Sequence, residues 1–189
     1  MRHFSFLTDR LIIREYIRSD LDDFLEVVRH AESYDTTCGV PKEYPKRRAK
    51  EWFRFIKNNM RTMQSFEFGM FLKNDERYIG NIGLINISSN HNHADISYYI
   101  DTNFRNSGFT TEAALEMLHL GFDIFGFEKI SGLCMSVNLP SRRVMEKIGM
   151  KYEGTLRNDL YKDGIYYDID HLSILRNEYY SMNNQNKLF

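Results

Sequence analysis

Phe104-Arg105-Asn106-Ser107-Gly108-Phe109-Thr110-Thr111-Glu112-Ala113 follows a β-rich run that ends near Asp101 and leads into Ala113, Leu115, Leu118, Phe122 and Phe125, apolar residues at helical spacing. A strand-to-helix junction of this kind points backbone N–H groups outward without partners inside the helix. Together with the helix dipole they attract an anion such as a pyrophosphate. Gly108 lets the backbone approach the phosphates closely, Arg105 at the entrance offers a charge-assisted hydrogen bond, and Ser107, Thr110 and Thr111 offer hydroxyls. The same stretch also reads as a plain turn with a glycine. It matches neither the GxGxxG nor the GxxxxGK[ST] nucleotide motif, so local spacing leaves both readings open.

Working outward, Leu11-Ile12-Ile13 predicts a first strand, and Ser19-Asp20 caps a helix carrying Leu21, Phe24, Leu25 and Val28. Cys38-Gly39-Val40-Pro41, with Pro45, marks a loop before a second helix with Ala49, Trp52, Phe53 and Ile56 on its apolar stripe. Residues 66–72 and 78–85 predict a hairpin across the polar turn 73–77, and residues 94–101 a third strand after the polar linker 88–93. Gly126 is a stop signal for the long helix; a strand over 129–137 follows, then a short helix from Pro140 to Ile148 with Gly149 past its end. Strands over 151–161 and 165–174 flank Lys162-Asp163-Gly164, whose Asp-Gly is a hairpin signal. Residues 1–182 read as a single domain and the Asn-rich tail 183–189 as frayed.

The 189 residues suit one core, and 42% apolar with 27% charged residues favours a packed domain over disorder. A net charge of −1 supplies no global field for nucleic acid or an anionic membrane, so any anion is gripped locally. Cys38 and Cys134 stand far apart in no metal or redox spacing, which suits free thiols and a cytoplasmic location. The N-terminus lacks the apolar core of a signal peptide, and no run approaches the roughly 18 apolar residues of a membrane span. His91 and His93 in a polar linker make a poor metal site, and no metal is expected.

The order of these pieces resembles the GNAT N-acetyltransferases, and within them the ribosomal-protein N-terminal acetyltransferases of RimJ/RimL type. Thr8-Asp9-Arg10-Leu11-Ile12-Ile13-Arg14 resembles that subfamily's opening strand. Tyr78-Ile79-Gly80-Asn81-Ile82-Gly83-Leu84 and Ala94-Asp95-Ile96-Ser97-Tyr98-Tyr99-Ile100 resemble its central antiparallel strands. Arg105-Asn106-Ser107-Gly108-Phe109-Thr110 is similar to the (Gln/Arg)-x-x-Gly-x-(Gly/Ala) coenzyme A loop. Residues 138–150 are similar to Asn-x-x-Ser-x-x-(hydrophobic)-x-x-Lys-x-Gly-Phe. Two positions depart. Thr110 stands where Gly or Ala is usual, so its side chain must turn away or serve as a phosphate ligand. Met145 stands where many members carry a tyrosine that protonates the leaving thiolate, and methionine has no proton to give.

The resemblance implies an α+β GNAT fold: a twisted, mostly antiparallel sheet with a splayed central parallel pair, residues 94–101 and 129–137, and helices on both faces. It implies acetyl-CoA as co-substrate, direct attack of a neutral amine in a ternary complex, and pantetheine lying between the splayed strands beside Ile100 and Thr102. Arg105, Asn106, Ser107, Gly108, Phe109 and Thr110 would hold the phosphates, Asn138 the pantetheine, and Arg143 or Lys147 the adenosine phosphates, although exposed helix cations also simply face solvent. Asp95 is the first candidate to accept the amine proton, through water, with Asp159 and Asp170 behind it; it also reads as an exposed carboxylate or a binder of substrate charge. Ser141 is the proton-donor candidate in place of Met145, and equally a helix-capping serine. Trp52, Phe53, Tyr98, Tyr99, Tyr166 and Tyr167 wall the acceptor cleft or belong to the core.

An α-amine with pKa about 7.7–8.0 is neutral to roughly 10% at pH 7, a lysine amine to well under 1%, so an N-terminal acceptor needs only weak base help. The expected acceptor is therefore a protein or peptide N-terminus, with a polyamine or aminoglycoside-like amine as rival. A non-catalytic acetyl-CoA sensor is the reading that Met145 motivates. A homodimer is compatible with the sequence without being demanded by it.

Overall fold

The computed structural model describes residues 4–29, 34–35, 37, 40–41 and 43–186, with side chains through Met182. Cys38 and part of the loop expected around it lie outside the described residues. The elements are β1 (Ser5–Leu7), β2 (Leu11–Arg14), α1 (Leu21–Arg29), α2 (Lys46–Arg61), β3 (Phe66–Leu72), β4 (Tyr78–Ser88), β5 (His93–Ile100), α3 (Phe109–His119), β6 (Lys129–Met135), α4 (Leu139–Lys147), β7 (Lys151–Lys162), β8 (Ile165–Leu175) and α5 (Arg176–Asn186). The strands form one sheet in the order β1-β2-β3-β4-β5-β6-β8-β7. Every neighbouring pair is antiparallel except β5 with β6, as the expected fold class requires.

Local chemistry sets several boundaries. Ahead of α1 the Asp20 carboxylate accepts the Ile17 N–H at 2.8 Å and both Arg14 guanidinium nitrogens at 2.7 and 2.9 Å, tying the helix start to the end of β2. Lys162 pairs with Ile165 across Asp163-Gly164, both with positive φ (51° and 82°), the two-residue hairpin turn that Asp-Gly favours. The long helix departs from expectation. It is α-helical only to His119, widens into a π-helical turn over Leu120–Ile124, and ends before Gly126 at φ 70°. β1, three residues at the sheet edge, is too short to carry an alternation signal and was not expected. α5 runs to Asn186, into the segment expected to fray.

The two sheet faces bury separate cores. Phe66, Phe68, Ile82, Leu84, Ala94 and Ile96 pack with Ala113, Met117 and Leu118 of α3. On the other face Phe71 and Tyr78 pack with Leu21, Phe24 and Val28 of α1 and Ala49 of α2, and Phe24 stacks on Trp52 at 5.0 Å. A fully buried Phe or Leu contributes about 1.5–3 kcal/mol, so this second core is the main apolar hold on α1 and α2.

Candidate active site

The cleft opens where the parallel pair separates. β5 and β6 pair only from His93↔Lys129 to Ile96↔Gly132; past that point residues 97–100 keep only β4 as partner and residues 133–135 only β8. The pair is thus shorter than the 94–101 and 129–137 expected. At the parting point a methyl group on Gly132 would lie 2.3 Å from Met145 Sδ, so Gly132 lets α4 seat Met145 directly on the strand. Met145 is 1% exposed there and acts as packing where a tyrosine would have offered a proton.

The α3 N-terminus forms one end of the cleft. Asn106 (φ 58°) and Gly108 (φ 82°) turn the chain so that Gly108 caps the helix with no side-chain cap. The N–H groups of Phe109, Thr110 and Thr111 have no acceptor among the described residues, while Glu112 N–H donates to Gly108 O at 3.0 Å. Gly108 is required for its positive φ, since a side chain there would only graze Arg10 at 3.4 Å.

Arg10 braces this loop, a role that local spacing did not reveal. Its Nε donates to Glu112 Oε2 at 2.7 Å and Nη1 to Ser107 O at 2.9 Å, and its guanidinium lies 4.4 Å from the Phe109 ring centre. Its own N–H and the Thr8 hydroxyl donate to Glu112 Oε1 at 2.8 and 2.5 Å. Burial works against the charge on Glu112, but these donors outweigh it and hold the carboxyl below its usual range.

Ile100, Thr102, Arg105, Asn106, Gly108, Phe109 and Thr110 all line the cleft, together with Asn138, Ser141, Arg143 and Lys147 from α4 and its approach. Ser107 does not: its hydroxyl donates to Arg105 O at 3.3 Å and its carbonyl serves Arg10. Thr110 is buried at 9% exposure.

The two readings of Ser141 separate in the structure. Asn138 Oδ1 accepts the Ser141 N–H at 3.1 Å and so caps α4. The Ser141 hydroxyl instead lies 3.1 Å from the hydroxyl of Tyr98, which is also 3.0 Å from Ser141 O. Burial raises the Tyr98 pKa against the opposing pull of Ser141, so the phenol stays protonated.

The opposite sheet face forms the other half of the cleft. Asp95 accepts a hydrogen bond from Asn86 Nδ2 at 2.9 Å, and Asp159 lines the same cleft. Asp170 is committed elsewhere. It is 2% exposed and takes hydrogen bonds from Ser136 and Thr155, each at 2.6 Å, and from Arg142 at 3.1 Å. Burial disfavours its charge, but those partners prevail and keep it ionised, which unsuits it to accept a proton near neutrality. Trp52, Tyr98 and Tyr99 wall the cleft with Phe24, Tyr44 and Phe55, whereas Phe53, Tyr166 and Tyr167 lie outside the lining. Tyr16, Tyr78 and Tyr99 link hydroxyls at 3.1 and 2.7 Å, and Asn81 Nδ2 donates to Tyr16 at 3.1 Å. Glu67 on β3, absent from the sequence reading, also lines this half, and burial pushes its carboxyl up to about 7. Its chain position carries no local motif; only the sheet brings it to the cleft. His91 and His93 stack at 6.0 Å, and no group of three or more His, Cys, Asp or Glu residues is poised for a metal among the described residues.

The chain is 28% identical over 173 residues to the uncharacterized N-acetyltransferase YnaD of Bacillus subtilis (strain 168), covering 91% of this chain and 97% of that protein. Its fold is similar to spermidine N-acetyltransferase from Vibrio cholerae in complex with CoA and spermine (TM-score 0.79, 20% identity, 90% of this chain and 98% of the other). It is similar also to the RimL ribosomal L7/L12 α-N-protein acetyltransferase in complex with coenzyme A (TM-score 0.81, 15% identity, 90% and 96%). The acetyltransferase (GNAT) domain model matches residues 10–151, a span that takes in the Arg10-braced loop, the parted strands and α4, and the chain belongs to the GNAT acetyltransferase family.

Proposed function

We propose that this acetyltransferase is RimJ/RimL-like and carries the acetyl group of acetyl-CoA to the N-terminal amine of a protein or peptide. The observation that carries the reading is the placing of the strand parting: it opens between the unpartnered N–H groups of α3 on one side and a carboxylate-bearing, aromatic-walled face on the other. Phosphates suit the first end through the helix dipole and the Arg105 charge, and a cationic amine suits the second.

In this scheme the pantetheine arm lies in the parting beside Ile100 and Thr102, with its terminal thioester toward Ser97 and Tyr98. Asp95 draws the ammonium form of the acceptor to the face. The ammonium gives one proton to water in the cleft, the neutral amine attacks the thioester carbon, the C–S bond breaks, and coenzyme A departs as a thiolate that Ser141 protonates. Ser141 regains its proton from the attacking nitrogen as the amide forms, and the neighbouring Tyr98 hydroxyl, which donates to Ser141 O, holds the serine in place. Support for an N-terminal acceptor is the likeness to a RimL fold and the weak base demand of an α-amine. The acidic lining, with Glu51, Glu67, Asp95 and Asp159, favours a second reading in which a small polycationic amine is the acceptor.

Thiol release from acetyl-CoA with an alanine-initiated tetrapeptide, spermidine and kanamycin tests both. Fastest turnover of the peptide is expected; faster turnover of spermidine or kanamycin reverses the order of the two readings. Tight acetyl-CoA binding with no turnover of any amine would point to a sensor module instead.

A further inference from the structure

Glu67 occupies an unusual place in the cleft. The sheet register aligns Glu67 of β3, Gly83 of β4 and Ser97 of β5 in one row across the acceptor-facing side. Gly83 contributes no side chain, and Glu67 fills the vacancy: a methyl group on Gly83 would lie 2.9 Å from Glu67 Cγ. The Glu67 side chain therefore leans along the row toward β5, whose residues from Ser97 onward border the strand parting. Neighbouring strands are about 4.8 Å apart, so Glu67 and Ser97 backbones lie roughly 10 Å from each other, a gap that a glutamate side chain and one amine or water bridge.

Glu67 has no hydrogen bond or ion pair among the described residues, in contrast to Asp95, held by Asn86, and Asp170, held by three partners. Of the titratable groups, Tyr16 after β2 and Tyr44 before α2 feel its charge, and Arg48 and Glu51 of α2, Tyr99 and Asp95 of β5 and Asp159 of β7 line the same cleft. None of them is bonded to it, and burial alone moves its carboxyl to about 7. A half-buried carboxylate left without a partner on the wall of a reaction cleft is held ready for one that arrives with the substrate.

We infer that Glu67 is the general base of the transfer reaction, taking the proton of the acceptor ammonium directly or through one water while Asp95 supplies attraction. The inference rests on the acetyltransferase reading above. The ammonium gives one proton to the Glu67 carboxylate, which later releases it to solvent. The freed amine forms the C–N bond as the C–S bond breaks, and its second proton ends on the coenzyme A thiolate by way of Ser141. Acetyl-CoA and R–NH3+ thus become the acetamide, coenzyme A thiol and H+.

The test is the pH profile of kcat/KM for thiol release, from pH 5.5 to 10, with the alanine-initiated tetrapeptide and with spermidine. In the native chain the rising limb has its midpoint near 7 with both amines. In Glu67→Gln only amine that is already neutral reacts. The midpoint moves to the amine's own pKa, about 8 for the peptide and above 10 for an alkylamine. The loss at pH 7, about 10²-fold, shrinks toward high pH. Glu67→Asp keeps the low-pH limb at reduced rate and carries the same readout should the glutamine variant fold poorly. Asp95→Asn raises the KM of the amine and keeps the limb. A limb near 7 that persists in Glu67→Gln, or a loss equal at every pH, overturns the inference while leaving the transferase reading intact. No thiol release by the native chain with any amine overturns both.

Discussion

Arg10→Ala tests whether the loop proposed to face the coenzyme phosphates is held in shape from outside itself. The substitution removes the Nε bond to Glu112, the Nη1 bond to Ser107 O and the guanidinium over Phe109, and keeps the backbone bond to Glu112. The Arg10 side chain is 47% exposed, so screening limits its ion pair to about 0.5–1 kcal/mol. A hydrogen bond to a backbone oxygen adds about 0.5–1.5 kcal/mol and the cation–π contact about 0.5 kcal/mol. These share one guanidinium and the entropy of fixing it, so their joint loss is about 1–2 kcal/mol, not their sum. Because the contacts fix the residues that present the α3 N–H groups, most of this loss should fall on acetyl-CoA affinity. The KM for acetyl-CoA should rise about 5–30-fold with kcat within a factor of 3. The assay is thiol release at saturating amine with acetyl-CoA varied, alongside thermal unfolding without ligand. A lowered Tm with unchanged KM for acetyl-CoA would refute the reasoning, because the loop would then keep its shape without its brace.

Gly108→Ala forces a side chain into φ 82° at a cost of about 1–2 kcal/mol, and isothermal titration with coenzyme A should show affinity falling about tenfold. Ser141→Ala should lower kcat about 10²-fold and Tyr98→Phe about tenfold, both with unchanged coenzyme A affinity, since Asn138 and not Ser141 caps α4. Asp170 and Glu112 have folded-state pKa values below their unfolded ones, so the stability they lend is complete above about pH 4.3 and lost as pH falls through the folded values; Asp170→Asn should flatten that acid limb of Tm against pH. Phe24→Ala should destabilise by about 3–5 kcal/mol in urea unfolding, since the ring contacts Tyr44, Trp52, Phe53 and Tyr78 in the smaller core.

Much of the fold was legible because its signals are local. Asp163-Gly164, the apolar stripe of α1, Pro140 at the start of α4 and the glycine before α3 each act within a few residues, and the chain follows them. The loop at the start of α3 was legible for the same reason, since residues 105–110 are consecutive. Of those, only Ser107 falls outside the cleft, because Arg10 draws its carbonyl away.

The sequence by itself therefore determined most of the elements, their order and the glycine-capped start of α3, while β1, the π-helical turn and α5 had no local signal. Helix and turn preferences are settled by neighbours along the chain. Tertiary structure alone decided which distant side chains share the cleft. Arg10 meets Glu112, Tyr98 meets Ser141, and Glu67 leans over Gly83 because the sheet order and register put β2 near α3, β5 beneath α4 and β3 next to β4. It also decided the protonation of those groups, since burying Glu67 without a partner and Asp170 with three moves two carboxyls in opposite directions. Neither burial nor partner number is a property of a residue's neighbours in sequence.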